Sequence, residues 1–207
     1  MIIGVSGKSG SGKSSVAKYL ANELGFTLLD LDVISKKIRE DYKSEILELV
    51  RDNILNKDDI DSKKLGKILF ENPSLMEKYN LFIYGKQKEV IAKYEGENII
   101  IDSIFLPIME IFENLDVRVL VCCDEKVRME RVMKRDNITK EYFLLRDKNG
   151  LNYNKEDFDY VIYNDNEYIK QLNELLDKIK KWFWITFFIW NIVLIVRFVQ
   201  FVLVLIC

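Results

Sequence analysis

The sequence predicts an α/β fold, a three-layer sandwich built on a parallel sheet of about five strands. Three observations predict it. Short apolar runs starting at Met1, Phe26, Glu97, Val117 and Phe158 alternate with stretches of helical periodicity. Glu97-Asn-Ile-Ile-Ile-Asp102 carries three consecutive isoleucines, which suit a strand buried on both faces of a parallel sheet. The first strand and first helix are joined by a glycine-rich turn, the arrangement in which parallel α/β sheets bind ligands at strand ends.

Met1 to Val5 is the first strand, and Val16-Ala-Lys-Tyr-Leu-Ala-Asn-Glu-Leu24 has the apolar spacing of the first helix. Between them, Gly7-x-x-x-x-Gly12-Lys13-Ser14 fits the P-loop template at every fixed position, which specifies the fold as the P-loop NTPase sandwich. Several backbone N–H groups must approach one phosphate together, and Gly7, Gly10 and Gly12 leave room for that. The anion then meets the positive end of the helix that follows. Gly7, Lys8, Ser9, Gly10, Ser11, Gly12, Lys13, Ser14 and Ser15 are therefore the candidate phosphate-binding residues. Lys13 is expected to reach the β- and γ-phosphates, and the Ser14 hydroxyl to ligate Mg2+.

Phe26 to Asp30 is a second strand, and it ends in Asp30-Leu31-Asp32 at the ligand edge of the sheet. One of these carboxylates can hold magnesium and its waters while the other takes a proton from an attacking hydroxyl. The competing reading is that Asp32 caps a helix starting at Val33. From Val33 to about Glu95 the pattern is helical, with breaks at Asp41 to Ser44, Asn56 to Ser62 and Asn72-Pro73-Ser74. So long a connection reads as a helical substrate-binding insertion over about 35–95, or else as a purely structural helical layer.

Asp102 ends the triple-isoleucine strand and is a second candidate magnesium contact, with a capping or loop role as the alternative. Pro107 to Asn114 reads as a short helix and Val117 to Cys123 as the fourth strand. Lys126 to Asp136 is a helix with Arg128, Arg131 and Arg135 on a polar face. Followed by Thr139 to Arg146, it forms a candidate lid over about 126–150, although a simply solvated face fits the spacing equally well. Phe158 to Tyr163 is the last strand and Asn166 to Lys181 a closing helix.

Composition narrows the chemistry. With 207 residues, 49% hydrophobic, the chain can bury one substantial domain. A net charge of −2 without long basic runs gives no reason to expect nucleic acid as the partner. Histidine is absent, which excludes a histidine base or a His-ligated metal. Cys122, Cys123 and Cys207 lack metal or redox spacing and read as small apolar filling in a reducing compartment. A strand that starts at Met1 leaves no place for a signal peptide, so a cytoplasmic location is expected.

Residues 182–207 stand apart. They carry one charge, Arg197, and all three tryptophans, and they are long enough for the roughly 20 residues of a membrane span. Lys178, Lys180 and Lys181 would anchor the cytoplasmic side, while Arg197 would cost about 2.5–3.5 kcal/mol at a helix centre. Three readings stand: a transmembrane anchor tethering the α/β body of 1–181, a hydrophobic extension packed on that body or a partner, or a tail outside the native reading frame.

Gly4 to Lys18, Leu28-Leu-Asp-Leu-Asp-Val-Ile34, Arg128-Met-Glu-Arg-Val-Met-Lys-Arg-Asp136 and Asp159-Tyr-Val-Ile-Tyr-Asn164 together resemble the successive signatures of dephospho-coenzyme A kinases. The blocks span residues 1 to about 165 in order. The resemblance implies transfer of the ATP γ-phosphoryl, with Mg2+, to the ribose 3′-hydroxyl of dephospho-CoA. It implies that Asp32 is the base, that Lys13 and Ser14 serve phosphate and magnesium, and that Arg146 is the catalytic lid arginine. Arg131 and Arg135 match basic positions on the nucleotide side. Three stretches depart from the family pattern: Phe82-Ile-Tyr-Gly85 replaces a His-Pro pair, Ser103-Ile-Phe-Leu-Pro107 a Pro-Leu-Leu, and Gly150 a glutamine. Another small-molecule P-loop kinase, of the shikimate, nucleoside or nucleotide type, and a membrane-tethered nucleotide switch are the alternative functions. As an assembly, a monomer or weak homo-oligomer is expected.

Overall fold

The computed structural model describes residues 1–51, 53–165 and 167–182. Its main sheet contains β1 (Ile2–Ser6), β2 (Thr27–Asp30), β5 (Ile99–Asp102), β6 (Val117–Cys122) and β7 (Tyr160–Tyr163), all parallel, in the order β2-β5-β1-β6-β7. A small antiparallel hairpin pairs β3 (Leu55–Asn56) with β4 (Asp59–Ile60). The expected P-loop sandwich is therefore present, with the strand that leads into the glycine-rich loop in the middle of the sheet. Strand register gathers the acidic residues. Asp102 pairs with Val5 on one side and Asp30 on the other, so the two acidic strand ends and the start of the phosphate loop share one edge.

The helices are α1 (Lys13–Leu24), α2 (Leu31–Asp41), α3 (Lys43–Val50), α4 (Ser62–Glu71), α5 (Pro73–Ala92), α6 (Glu125–Asp136) and α7 (Lys140–Lys148). The three isoleucines of β5 are fully buried: Ile99 and Ile101 join Leu29, Leu31, Ile91, Leu106, Phe112 and Leu120 in one cluster, and Ile100 points to the opposite face. That two-sided burial is why the strand is apolar without alternation. A second cluster, Ile38, Ile46, Val50, Ile54, Leu65, Leu69, Tyr79 and Ile83, lies wholly within α2 to α5 and the segment leading into the hairpin. The 35–95 stretch thus has its own core. Its breaks are built as the sequence suggests: the Asn72 side chain caps α5 at the Leu75 N–H, 3.1 Å away, with Pro73 in the first turn.

Some expectations are corrected. The polar break at 56–62 falls on the hairpin, whose two-residue strands are too short to show a period. The helix expected over Pro107 to Asn114 is two 3-10 turns, Leu106–Ile108 and Glu110–Asn114. The last described helix covers 168–182, with Leu172, Leu175, Leu176 and Ile179 buried. The anchor considered for 182–207 lies, apart from Trp182, outside the described residues. Among the described residues no helix is long and apolar enough to cross a membrane.

Candidate active site

The phosphate loop leaves the centre of the sheet at Ser6, whose hydroxyl donates to the Ser103 carbonyl at 2.9 Å. Gly10 and Gly12 adopt left-handed backbone, with φ of 81° and 95°. A Cβ at Gly10 would stand 2.8 Å from the Arg128 carbonyl oxygen, and one at Gly12 would collide with the Asn164 amide. These two glycines are required by conformation and by contact together. Asn164 is a site residue whose role the sequence pattern did not disclose: its side-chain amide donates to the Ser11 carbonyl at 2.7 Å and so props the loop from the end of β7. Ser11 Oγ is buried under the loop with no partner among the described residues, and Ser15 is exposed.

Lys13 opens α1 and is the electrostatic centre of the site. Its ammonium lies 2.9 Å from Asp102 Oδ1, 3.8 Å from Asp32 Oδ2 and 3.4 Å from Ser14 Oγ. Asp30, and not Asp32, caps α2: its carboxylate accepts from the Asp32 and Val33 N–H groups at 3.0 and 3.1 Å. The strand runs into the helix without a loop, so the cap falls on the last strand residue. Asp32 is released from capping on the first turn, with 62% of its side chain exposed. Its carboxyl is pushed above the ordinary aspartate range, first by desolvation from the neighbouring protein and then by Asp30 and Asp102, with Lys13 and Arg135 opposing. Asp102 is 1% exposed, and its Oδ2 has no partner among the described residues. An orphaned carboxylate oxygen beside a hydroxyl and an ammonium suits a hydrated divalent cation shared with phosphates. No cluster of three or more protein ligands is found among the described residues.

The basic helix is partly reassigned. Arg128 does not share a solvated face: it is 5% exposed and grips Asp147 with bonds of 2.8 and 3.1 Å. Arg131 donates to the Gly10 carbonyl at 3.3 Å, and Arg135 to Ser9 Oγ at 3.1 Å. Arg135 and Arg146 are both held by Asp136, at 2.7 and 3.0 Å. Arg131 and Arg135 therefore touch the loop, whereas Arg146 is held beside it on a carboxylate. Lys8 is committed to Asp147 at 3.0 Å. Cys123 is more than filling, since its thiol contacts the Asn164 carbonyl at 3.8 Å and Arg131 at 3.7 Å. Between the phosphate loop, α4, α5 and α7 lies a cleft of about 590 Å³ lined by Lys8, Ser9, Phe70, Asn80, Phe105 and Arg146.

Gln87 is a second residue that the sequence pattern did not single out. It is 4% exposed on α5, and its amide donates to the Leu31 carbonyl at 3.2 Å and to Ser35 Oγ at 2.8 Å. Ser35 Oγ donates in turn to Leu31 O at 2.7 Å. Helix α5 is thereby bonded to the first turn of α2, which carries Asp32. Gln87→Leu should lower the melting temperature by a few degrees, the effect of about 1–2 kcal/mol on a domain of this size, and lower turnover more than it raises the KM for ATP. Calorimetry with steady-state kinetics checks this; a variant with unchanged melting and turnover would remove Gln87 from the support of Asp32.

Comparison with known proteins gives a consistent result. A family model described as dephospho-CoA kinase matches residues 1–171. A protein of Fusobacterium nucleatum named dephospho-CoA kinase is 40% identical over 148 residues, covering 68% of this chain and 76% of that one. The enzyme of that name from Bacillus licheniformis is 31% identical over 195 residues, covering 86% and 96%. Among solved structures, a Thermus thermophilus protein matches with a TM-score of 0.73 at 22% identity, covering 87% of this chain and 96% of its own. A dephospho-CoA kinase from Campylobacter jejuni has a TM-score of 0.52 at 22% identity with the same coverage, a likeness of fold.

Proposed function

Because the chain belongs to the dephospho-CoA kinase family and catalyses ATP-dependent phosphorylation of dephospho-CoA, we propose how its residues divide that reaction. The observation that carries the proposal is the Lys13 ammonium seated between Asp102 and Asp32 at the mouth of the phosphate loop. The loop amides and Lys13 hold the triphosphate and offset the charge that builds on its terminal phosphoryl. Asp32 accepts the proton of the ribose 3′-hydroxyl of dephospho-CoA as its oxygen bonds to the γ-phosphorus. The bond from that phosphorus to the β–γ bridging oxygen breaks, ADP leaves, and the carboxyl returns its proton to water.

Ser14 and Asp102 are the residues that would hold Mg2+, which supplies charge neutralisation across the β- and γ-phosphates when bound. Arg131 and Arg135 flank the loop on the nucleotide side. Arg146 leaves Asp136 for the transferring group as the lid over 126–150 settles. The acceptor binds against the insertion of about 35–95, reached from α2, whose first turn carries Asp32. On this reading residues 1–181 form the kinase body and work in the cytoplasm, as a monomer or weak homo-oligomer.

The test is an acceptor panel with ATP and Mg2+. Dephospho-CoA should exceed shikimate and nucleosides by at least ~10³-fold in kcat/KM, the scale of discrimination reached when buried polar contacts to the right substrate would be left unpaired by a wrong one. A preference for another alcohol would overturn the acceptor assignment while leaving the phosphoryl-donor half standing.

A further inference from the structure

We propose that Asp147 is a charged latch that seats the lid helix on the phosphate loop and thereby positions Arg146; the inference rests on the kinase reading of this site. Asp147 stands in the last turn of α7, where the helix dipole disfavours a carboxylate. Its place there is explained by two cations brought from elsewhere in the chain. Oδ1 accepts from Arg128 at 2.8 Å, while Oδ2 accepts from the other guanidinium nitrogen at 3.1 Å and from Lys8 at 3.0 Å. One carboxylate thus ties together α7, α6 and the loop.

Arg128 extends the connection. The nitrogen that meets Oδ1 also donates to the Ser9 carbonyl at 3.2 Å, and the guanidinium lies 5.7 Å from the ring centroid of Phe143, a buried residue of α7. Both partners are largely shielded, with side-chain exposures of 6% for Arg128 and 16% for Asp147, so water competes weakly for these bonds. Arg146 precedes Asp147 directly in the chain, and its guanidinium is 3.0 Å from Asp136 on α6. The docking of α7 therefore sets where Arg146 begins its approach to the phosphates. It also means that Lys8, although in the loop, directs its charge to the lid.

The experiment uses the full chain with Asp147→Asn, Lys8→Met, the double variant, and Arg146→Ala in wild-type and Asp147→Asn backgrounds. Amide hydrogen exchange over 140–148 should accelerate roughly tenfold or more in Asp147→Asn, the scale of a lost bond between charged groups. Turnover should fall about tenfold with the KM for dephospho-CoA little changed, and Asp147→Glu should restore part of it. Lys8→Met should add little once Asp147 is neutral, and Arg146→Ala should cost less in Asp147→Asn than in the wild type. Unchanged exchange in Asp147→Asn, or effects of Lys8 and Asp147 that multiply independently, would overturn the latch. Full activity of Arg146→Ala in the wild type would instead overturn the role of Arg146, and the exchange rates would still decide whether the latch exists. Should Asp147→Asn fold poorly, Lys8→Met removes one bond from a partly exposed side chain and carries the same exchange test.

Discussion

Lys13→Ala should lower turnover about 10³-fold, near the upper end of what one preorganised electrostatic group supplies in a water-excluded site. It should also destabilise the fold, because the same ammonium compensates Asp102, a carboxylate 1% exposed at the end of a central strand. Removing one partner of such a pair costs about 3–5 kcal/mol. The two effects separate in the double variant Lys13→Ala/Asp102→Asn. Neutralising the orphaned carboxylate should recover most of the lost melting temperature and none of the lost turnover. Calorimetry and single-turnover kinetics on the wild type, both single variants and the double variant check this, with Asp102→Asn alone giving the turnover lost through the magnesium residue itself. Recovery of both together would mean that Lys13 acts only by supporting Asp102.

Asp32→Asn should behave in the opposite way. Its side chain is 62% exposed and supports no buried partner beyond the Lys13–Asp102 pair, so melting should stay within the small range of surface substitutions, about 0.5 kcal/mol. Turnover should fall by about 10²–10⁴-fold, the contribution of a positioned base, while ATP affinity changes little. The pH dependence follows from the raised carboxyl. A base must be ionised, so wild-type kcat/KM should fall as pH drops through a midpoint above the ordinary aspartate range, and the variant should lack that limb. The same raised value makes ionised Asp32 slightly unfavourable for folding at neutral pH, an effect relieved as pH falls through the folded-state midpoint. The asparagine variant should therefore be no less stable than the wild type at pH 7. A wild-type acid limb that persists in the variant would assign it to another group.

The parts legible in the sequence are those whose signal is local. Gly7 to Ser14 is one contiguous stretch of loop and first helical turn, and Asp30, Asp32 and Asp102 could be placed because parallel strands put their C-terminal ends on one edge. What could not be read depends on partners distant in the chain. Spacing puts Arg128 with Arg131 and Arg135, but its environment is decided by Asp147, nineteen positions later, and by Ser9. Asn164 meets the loop only because β7 lies beside β6. Gln87 did leave a trace: it continues the buried series Tyr79, Ile83, Gln87, Ile91 at four-residue spacing, and a polar residue on that face implies a buried partner. The cap of α2 falls two residues earlier than the spacing suggested, because the strand passes into the helix with no loop between them.

The most direct test of the central claim is a crystal structure with dephospho-CoA, a nonhydrolysable ATP analogue and Mg2+. The ribose 3′-oxygen should lie within about 3.2 Å of an Asp32 carboxylate oxygen, with Lys13 on the terminal phosphates. A complex in which the 3′-oxygen sits in line with the terminal phosphorus while Asp32 faces solvent would contradict it.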